Sequence, residues 1–301
     1  MKGLHRLQRA VIILLGGAAI VPTLAARNCG GNGDVAGSFG WLGIRTSDFV
    51  TSAAIPPGAT TAGSSTPIGT LIAGVVNTAA FASVGRVFLD GNGGVFATSA
   101  PGGIQTPAGT YTVNLDCTVS ATLTDAFATP GFPGLATQAS ATFEGVVVEG
   151  GNEIDLTQTG SSAGTILTLK KTRQGCTNSG VSSSFGISAT GVTTTPGAMP
   201  GSTSTAVPFG ILGRFVTDGA GNLVQDVIAQ AAPLNNRKVT GTYLVNIDCT
   251  GTATLITADG KKRGANFVIV TQGSDLANGP QALEFAFTDA GVVGFGLAQQ
   301  Q

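Results

Sequence analysis

A single histidine, His5, stands among the 301 residues, and it falls in a segment that reads as a cleaved leader. The chain after that segment has none. This excludes histidine-based acid–base catalysis, nucleophile activation and metal binding. Charge is scarce as well: 15 Lys and Arg stand against 16 Asp and Glu, a formal net charge of −1. No basic footprint for nucleic acid exists. Aromatic residues make up only 6%, with one Trp and two Tyr, too few for the aromatic girdles of an outer-membrane barrel. The four cysteines include no close pair, which argues against both a redox dithiol and a structural zinc site. No catalytic residue, metal ligand or cofactor is therefore assigned. What the chain does have is 46 Gly and a 42% hydrophobic content, enough apolar material for packed cores. Its length suits about two domains.

The first residues carry an export pattern. Lys2, His5, Arg6 and Arg9 precede an apolar run from Ala10 to Ile20. Val21-Pro22-Thr23-Leu24-Ala25-Ala26 then supplies small residues for a signal peptidase. This is the arrangement of a Sec-type signal peptide, 1–25, with cleavage expected after Ala25. No later run is long enough for a helical membrane span. A periplasmic or extracellular destination follows, without a membrane span in the mature chain.

Beyond the leader the chain is duplicated. Gly109-Thr-Tyr-Thr-Val-Asn-Leu-Asp-Cys-Thr118 returns as Gly241-Thr-Tyr-Leu-Val-Asn-Ile-Asp-Cys-Thr250, identical at eight of ten positions. Gly85–Gly93 matches Gly213–Gly221, Ser38-Phe39-Gly40 matches Ser184-Phe185-Gly186, and Cys29 matches Cys176. The order is the same in both halves. Two homologous domains are expected, 26–173 and 174–301, since a period this long is a domain and not a solenoid repeat. Runs rich in Val, Ile, Thr and Phe, punctuated by Gly, Asn and Asp, predict strands. In the first half they lie near 38–43, 81–89, 94–100, 109–115, 119–124, 141–149, 153–159 and 164–171. In the second they lie near 184–190, 209–217, 222–231, 240–247, 251–257, 264–272, 281–288 and 291–298. The fold class is all-β: two tandem domains, each a small barrel of about eight antiparallel strands, with a β-sandwich as the alternative.

Candidate functional positions follow from this frame. An even cysteine count at repeated positions in an exported chain implies disulfides, Cys29–Cys117 and Cys176–Cys249. The longest connections, 44–80 and 191–208, are rich in Thr, Ser, Gly, Pro and Ala. Within the first, Leu71, Ile72, Val75 and Val76, with Trp41 on the adjoining strand, form a candidate ligand lid; a plain surface loop is the competing reading, and core packing that of Trp41. Asp90-Gly91-Asn92-Gly93 and Asp218-Gly219-Ala220-Gly221 read as hairpin turns, not calcium loops. Alternation puts Tyr111, Val113, Leu115 and Cys117 on one face of a strand, and likewise Tyr243, Val245, Ile247 and Cys249. Asn114 and Asp116, with Asn246 and Asp248, then satisfy backbone groups at the strand end. Asp155 and Glu284 occupy matching strands and are expected in solvent if the apolar side faces inward. Lys261-Lys262-Arg263 reads as a solvated hairpin tip. Arg86 and Arg214 recur beside apolar positions, and pairing with Asp116 or Asp248 is open to them.

The repeated Gly-Thr-Tyr-x-Val-Asn-x-Asp-Cys-Thr segment resembles a pattern in exported bacterial β proteins of uncharacterised function. The eight-strand meander also resembles, in architecture alone, the calycin and allene-oxide-cyclase-like barrels, which implies a small apolar ligand but transfers no residue roles. Three functions are in play: a binding protein for a small apolar ligand, a structural or surface-interaction protein of the cell envelope, and a cyclase- or isomerase-type enzyme. Many small residues facing inward would mark a hollow barrel and favour the first.

Overall fold

The computed structural model describes residues 29–46, 81–99, 104–124, 140–159, 164–173, 175–195, 205–230, 237–256, 260–271 and 281–301. The first eight strands are β1 Gly37–Thr46, β2 Phe81–Leu89, β3 Gly94–Ser99, β4 Ile104–Val113, β5 Thr118–Thr124, β6 Ser140–Val148, β7 Glu153–Thr159 and β8 Gly164–Lys171. The second eight are β9 Ser184–Thr195, β10 Thr205–Thr217, β11 Asn222–Gln230, β12 Arg237–Val245, β13 Thr250–Ile256, β14 Lys262–Thr271, β15 Gln281–Phe287 and β16 Val292–Gln300. Each strand pairs antiparallel with the next, β8 returns to β1, and β16 returns to β9. The result is two closed eight-stranded barrels, not a sandwich.

Alternation sets which side chains fill them. On β6, Ala141 and Phe143 are buried while Ser140, Thr142 and Glu144 face out, as a two-residue period requires. The hairpin turns are where the Asp-Gly pairs place them. Asp90 Oδ1 accepts from the Asn92 and Gly94 amides at 2.7 and 2.8 Å, and Asp218 Oδ1 from Ala220 and Asn222 at 2.8 and 2.9 Å. Gly91 and Gly219 take φ of 78° and 76° there, which a side chain resists.

Two expectations change. β4 and β12 stop at Val113 and Val245. Leu115 and Ile247 therefore sit in four-residue turns, not on the buried face, and are 72% and 67% exposed. Cys117 and Cys249 have φ of 66° and 69°, so the chain has already left extended geometry when it reaches them. The connection expected at 191–208 is also shorter, because β9 continues to Thr195 and β10 begins at Thr205.

The barrels dock side by side. β14 and β15 are buried on both faces. Phe267, Ile269, Leu283 and Phe285 fill the second barrel, whereas Val268, Val270 and Ala282 point outward into a second apolar layer with Val84 and Leu297. β1, β2 and β8 supply the opposing wall. Close approach depends on Gly40, where a Cβ would stand 2.7 Å from Val268 Cγ2 and from Val270 Cγ1. The connecting chain joins the seam: Thr172 Oγ1 donates to the Ile269 carbonyl at 2.7 Å, and the Arg173 carbonyl lies 3.0 Å from Cys249 Sγ. Arg86, half-buried on β2, donates to Ser38 Oγ at 2.7 Å. Burial lowers its pKa while Asp248 of the second barrel raises it. The charge of Asp248 is thus felt at Arg86 across the seam.

Gly40→Val overpacks this seam and is expected to cost about 1–3 kcal/mol. The matched Gly186→Val, whose new Cβ meets only the Gln301 side-chain amide at 3.3 Å, should cost less. Denaturant midpoints of the two variants check this; equal losses would contradict it.

Candidate functional site

Because the barrels are duplicates, strand register gives their interiors a residue-by-residue correspondence. Trp41 pairs with Gly85 and Leu169, and Ile187 pairs with Gly213 and Ala298. Gly43 pairs with Leu167, and Ala189 with Gly296. Val113 pairs with Val119, and Val245 with Gly251. Going from the first barrel to the second, Trp41 becomes Ile187, Leu169 becomes Ala298, Leu167 becomes Gly296 and Val119 becomes Gly251. The outcome is physical. Among the described residues, the first barrel's interior leaves a void of about 20 Å³, and the second holds a chamber of about 80 Å³.

Phenylalanines replace only part of the lost volume. Phe215, Phe267, Phe285 and Phe287 line the chamber. The Phe285 ring lies over Gly296 and the Phe267 ring over Gly251, in space that a Cβ would occupy. Phe287 meets Phe285 and Phe209 edge-on, with ring centroids 5.7 and 5.8 Å apart, an arrangement that aromatic quadrupoles favour. Phe209 in turn passes over Gly294, where a Cβ would be 2.6 Å from its Cζ. Phe287, Leu255 and Ile211 frame the upper end of the chamber.

The floor explains the repeated motif. Short 3-10 turns, Asn32–Val35 and Asn178–Val181, cross the lower end of each barrel and insert Val35 and Val181. Asn32 Oδ1 accepts from the Val113 amide at 2.7 Å, and the Tyr111 hydroxyl donates to the Asn32 carbonyl at 3.2 Å. Asn178 does the same for Val245 and Tyr243, at 2.7 and 3.2 Å. Disulfides pin each floor: Cys29–Cys117 and Cys176–Cys249, with Cα atoms 5.1 and 4.9 Å apart. Asp116 and Asp248 accept from the amides of Thr118 and Thr250 at 3.0 and 3.1 Å, and Asn114 and Asn246 bond the same threonine hydroxyls. In the second barrel, Thr217 and Tyr243 contribute the hydroxyls of the chamber wall. Thr217 Oγ1 donates to the Val181 and Ser183 carbonyls, and Tyr243 is held by Asn178. Burial raises the Tyr243 pKa. The chamber therefore offers a ligand shape and dispersion, with its polar atoms already engaged.

Other candidate positions land as follows. Trp41 is buried inside the first barrel, its indole where a Cβ on Gly85 would be 2.7 Å from Cε2. It packs in the core of the first barrel, the competing reading given to it above. Leu71, Ile72, Val75 and Val76 lie outside the described residues. Asp155 is half-buried and accepts from Thr168 Oγ1 at 3.0 Å. Glu284, expected in solvent, is 3% exposed because the first barrel covers it. Lys261 and Lys262 are exposed at the hairpin tip, and Arg263 reaches Asp289 at 3.9 Å. Among the described residues, no group of three or more His, Cys, Asp or Glu is arranged to hold a metal ion. Asn32, Asn178 and the trimmed β16 face were not singled out from the sequence. The alternation Gly294-x-Gly296-x-Ala298 against Thr165-x-Leu167-x-Leu169 carries that signal.

No protein-family model and no curated protein matches this chain.

Asn178→Ala removes the acceptor for a buried amide in the floor. It should lower unfolding free energy by about 1–3 kcal/mol, as Asn32→Ala should in the first barrel. Urea denaturation of each variant reads this out; no loss at either site would overturn the role given to these asparagines.

Proposed function

We propose that this is an exported, non-catalytic binding protein whose second barrel takes up a small apolar ligand. One observation carries the reading. Of two duplicated barrels, one is filled and the other is emptied at four corresponding positions, and the space left is lined almost wholly by hydrocarbon. Selection for stability alone fills such space, since voids cost free energy. The 80 Å³ chamber falls short of the roughly 300–1,000 Å³ of drug-sized sites. It lies closer to the cavity of about 150 Å³ that accepts benzene. The occupant is thus a compact, uncharged molecule of single-ring size, or one apolar end of a longer molecule. The disulfides suit an oxidising compartment, and the leader at 1–25 supplies the route to it. A second reading, a surface-interaction role, draws on the exposed Leu115, Leu244 and Ile247 at 72%, 57% and 67%.

Benzene is the probe. At about 100 times its dissociation constant it should stabilise the protein by about 2.7 kcal/mol. Ile187→Trp, which restores the first barrel's side chain opposite Gly213, should fold and abolish the response. Thermal unfolding with and without benzene decides it: no shift in wild type, or an equal shift in the variant, contradicts the chamber as the site. Self-association on sizing without any benzene response would support the second reading.

A further inference from the structure

The seam between the barrels holds a charge cluster that the binding reading does not use. Glu284 points from β15 away from the chamber and into the seam, 3% exposed. Its Oε1 lies 3.6 Å from Lys170 Nζ on β8, and the same Nζ lies 3.6 Å from Glu153 Oε2 on β7. The second Glu284 oxygen is buried and has no hydrogen-bond partner. Asp155, also on β7, adds a negative charge that acts on both carboxyls, and Glu149 adds one that acts on Glu153. β14 presents Val268 and Val270, β16 presents Leu297 and β1 presents Gly40, none of them ionisable; Arg86 on β2 donates to Ser38 Oγ at 2.7 Å. One ammonium therefore serves two carboxylates, of which Glu284 is shut away from water while Glu153 and Lys170 are partly exposed. With both ionised, the cluster keeps an uncompensated buried charge and an orphaned carboxylate oxygen, which is costly. With one proton held, Lys170 and the remaining carboxylate balance.

We propose that the Glu153–Lys170–Glu284 cluster is a proton-operated latch between the barrels, closed when the carboxyl pair holds one proton and weakened when it loses it. Burial, the largest influence, raises the Glu284 pKa from 4.5 to about 7 even against the pull of Lys170, and burial raises Glu153 as well. The sign follows from linkage. A carboxyl whose pKa is higher docked than free stabilises the docked form fully below the free value. That stability is lost as pH rises through the docked value. The latch therefore tightens on mild acidification and loosens above neutrality. This inference does not rest on ligand binding.

Carbon-detected titration of the glutamate carboxyls in the full disulfide-bonded chain is the test, with Glu284→Gln assigning the resonance. A Glu284 signal that titrates near neutrality is expected; one that titrates below about 5 overturns the latch. In parallel, the unfolding constant of wild type should be roughly 30-fold larger at about pH 8.5 than at about pH 5.5 from this group. Glu284→Gln, a permanent stand-in for the protonated form, should remove that difference. A pH dependence identical in wild type and Glu284→Gln also overturns it. Should Glu284→Gln fail to fold, assignment through Glu153→Gln and the remaining glutamates leaves the wild-type titration decisive.

Discussion

The interior of an eight-stranded barrel has a radius set by strand number and stagger, and inward side chains must fill it. Everything else here depends on that constraint. The backbone cannot close further around a missing side chain without breaking its ladder, so a trimmed residue leaves space. In the first barrel, Trp41, Leu167 and Leu169 meet the demand. In the second, Ile187, Gly296 and Ala298 do not, and the chamber results. Phe267 and Phe285 moderate the loss by lying across glycines, which gives the chamber flat aromatic walls rather than a collapsed core.

A hollow barrel needs its remaining stability from elsewhere. The floor supplies one source: a disulfide, an asparagine bridging the 3-10 turn to the neighbouring strand, and a tyrosine fixing the same turn. The seam supplies another. The chamber's outer wall, β14 and β15, is backed by the solid first barrel through Val268, Val270 and Ala282. The first barrel thus backs the wall of the second, and the same strands carry phenylalanines inward and the buried Glu284 outward.

Much of this fold was legible in the chain because its signals are local or repeated. Asp-Gly turns, two-residue alternation and the duplicated Gly-Thr-Tyr-x-Val-Asn-x-Asp-Cys-Thr segment place the strands, turns and cysteine pairs with little ambiguity. Leu115 and Ile247 were misplaced because alternation continues past the last ladder residue, where left-handed Cys117 and Cys249 end the strand. The seam left a trace in Phe267-Val268-Ile269-Val270, a continuous apolar run of the kind strands show when buried on both faces. On the neighbouring strand, Leu283-Glu284-Phe285 reads as ordinary alternation and puts Glu284 in solvent, whereas the seam buries it. The chamber was visible only by comparing inward positions between the halves. Even then its size depends on which way the phenylalanine rings turn, and that is settled by packing alone.

Among the described residues, one barrel is filled and the other holds an apolar chamber. A crystal structure determined under xenon pressure tests it directly, since xenon occupies dry apolar cavities irrespective of their natural occupant. The account predicts xenon in the second barrel, among Phe267, Leu283 and Phe285 above the floor residue Val181, and none in the first beneath Trp41. Xenon in neither barrel, or in both alike, would contradict it.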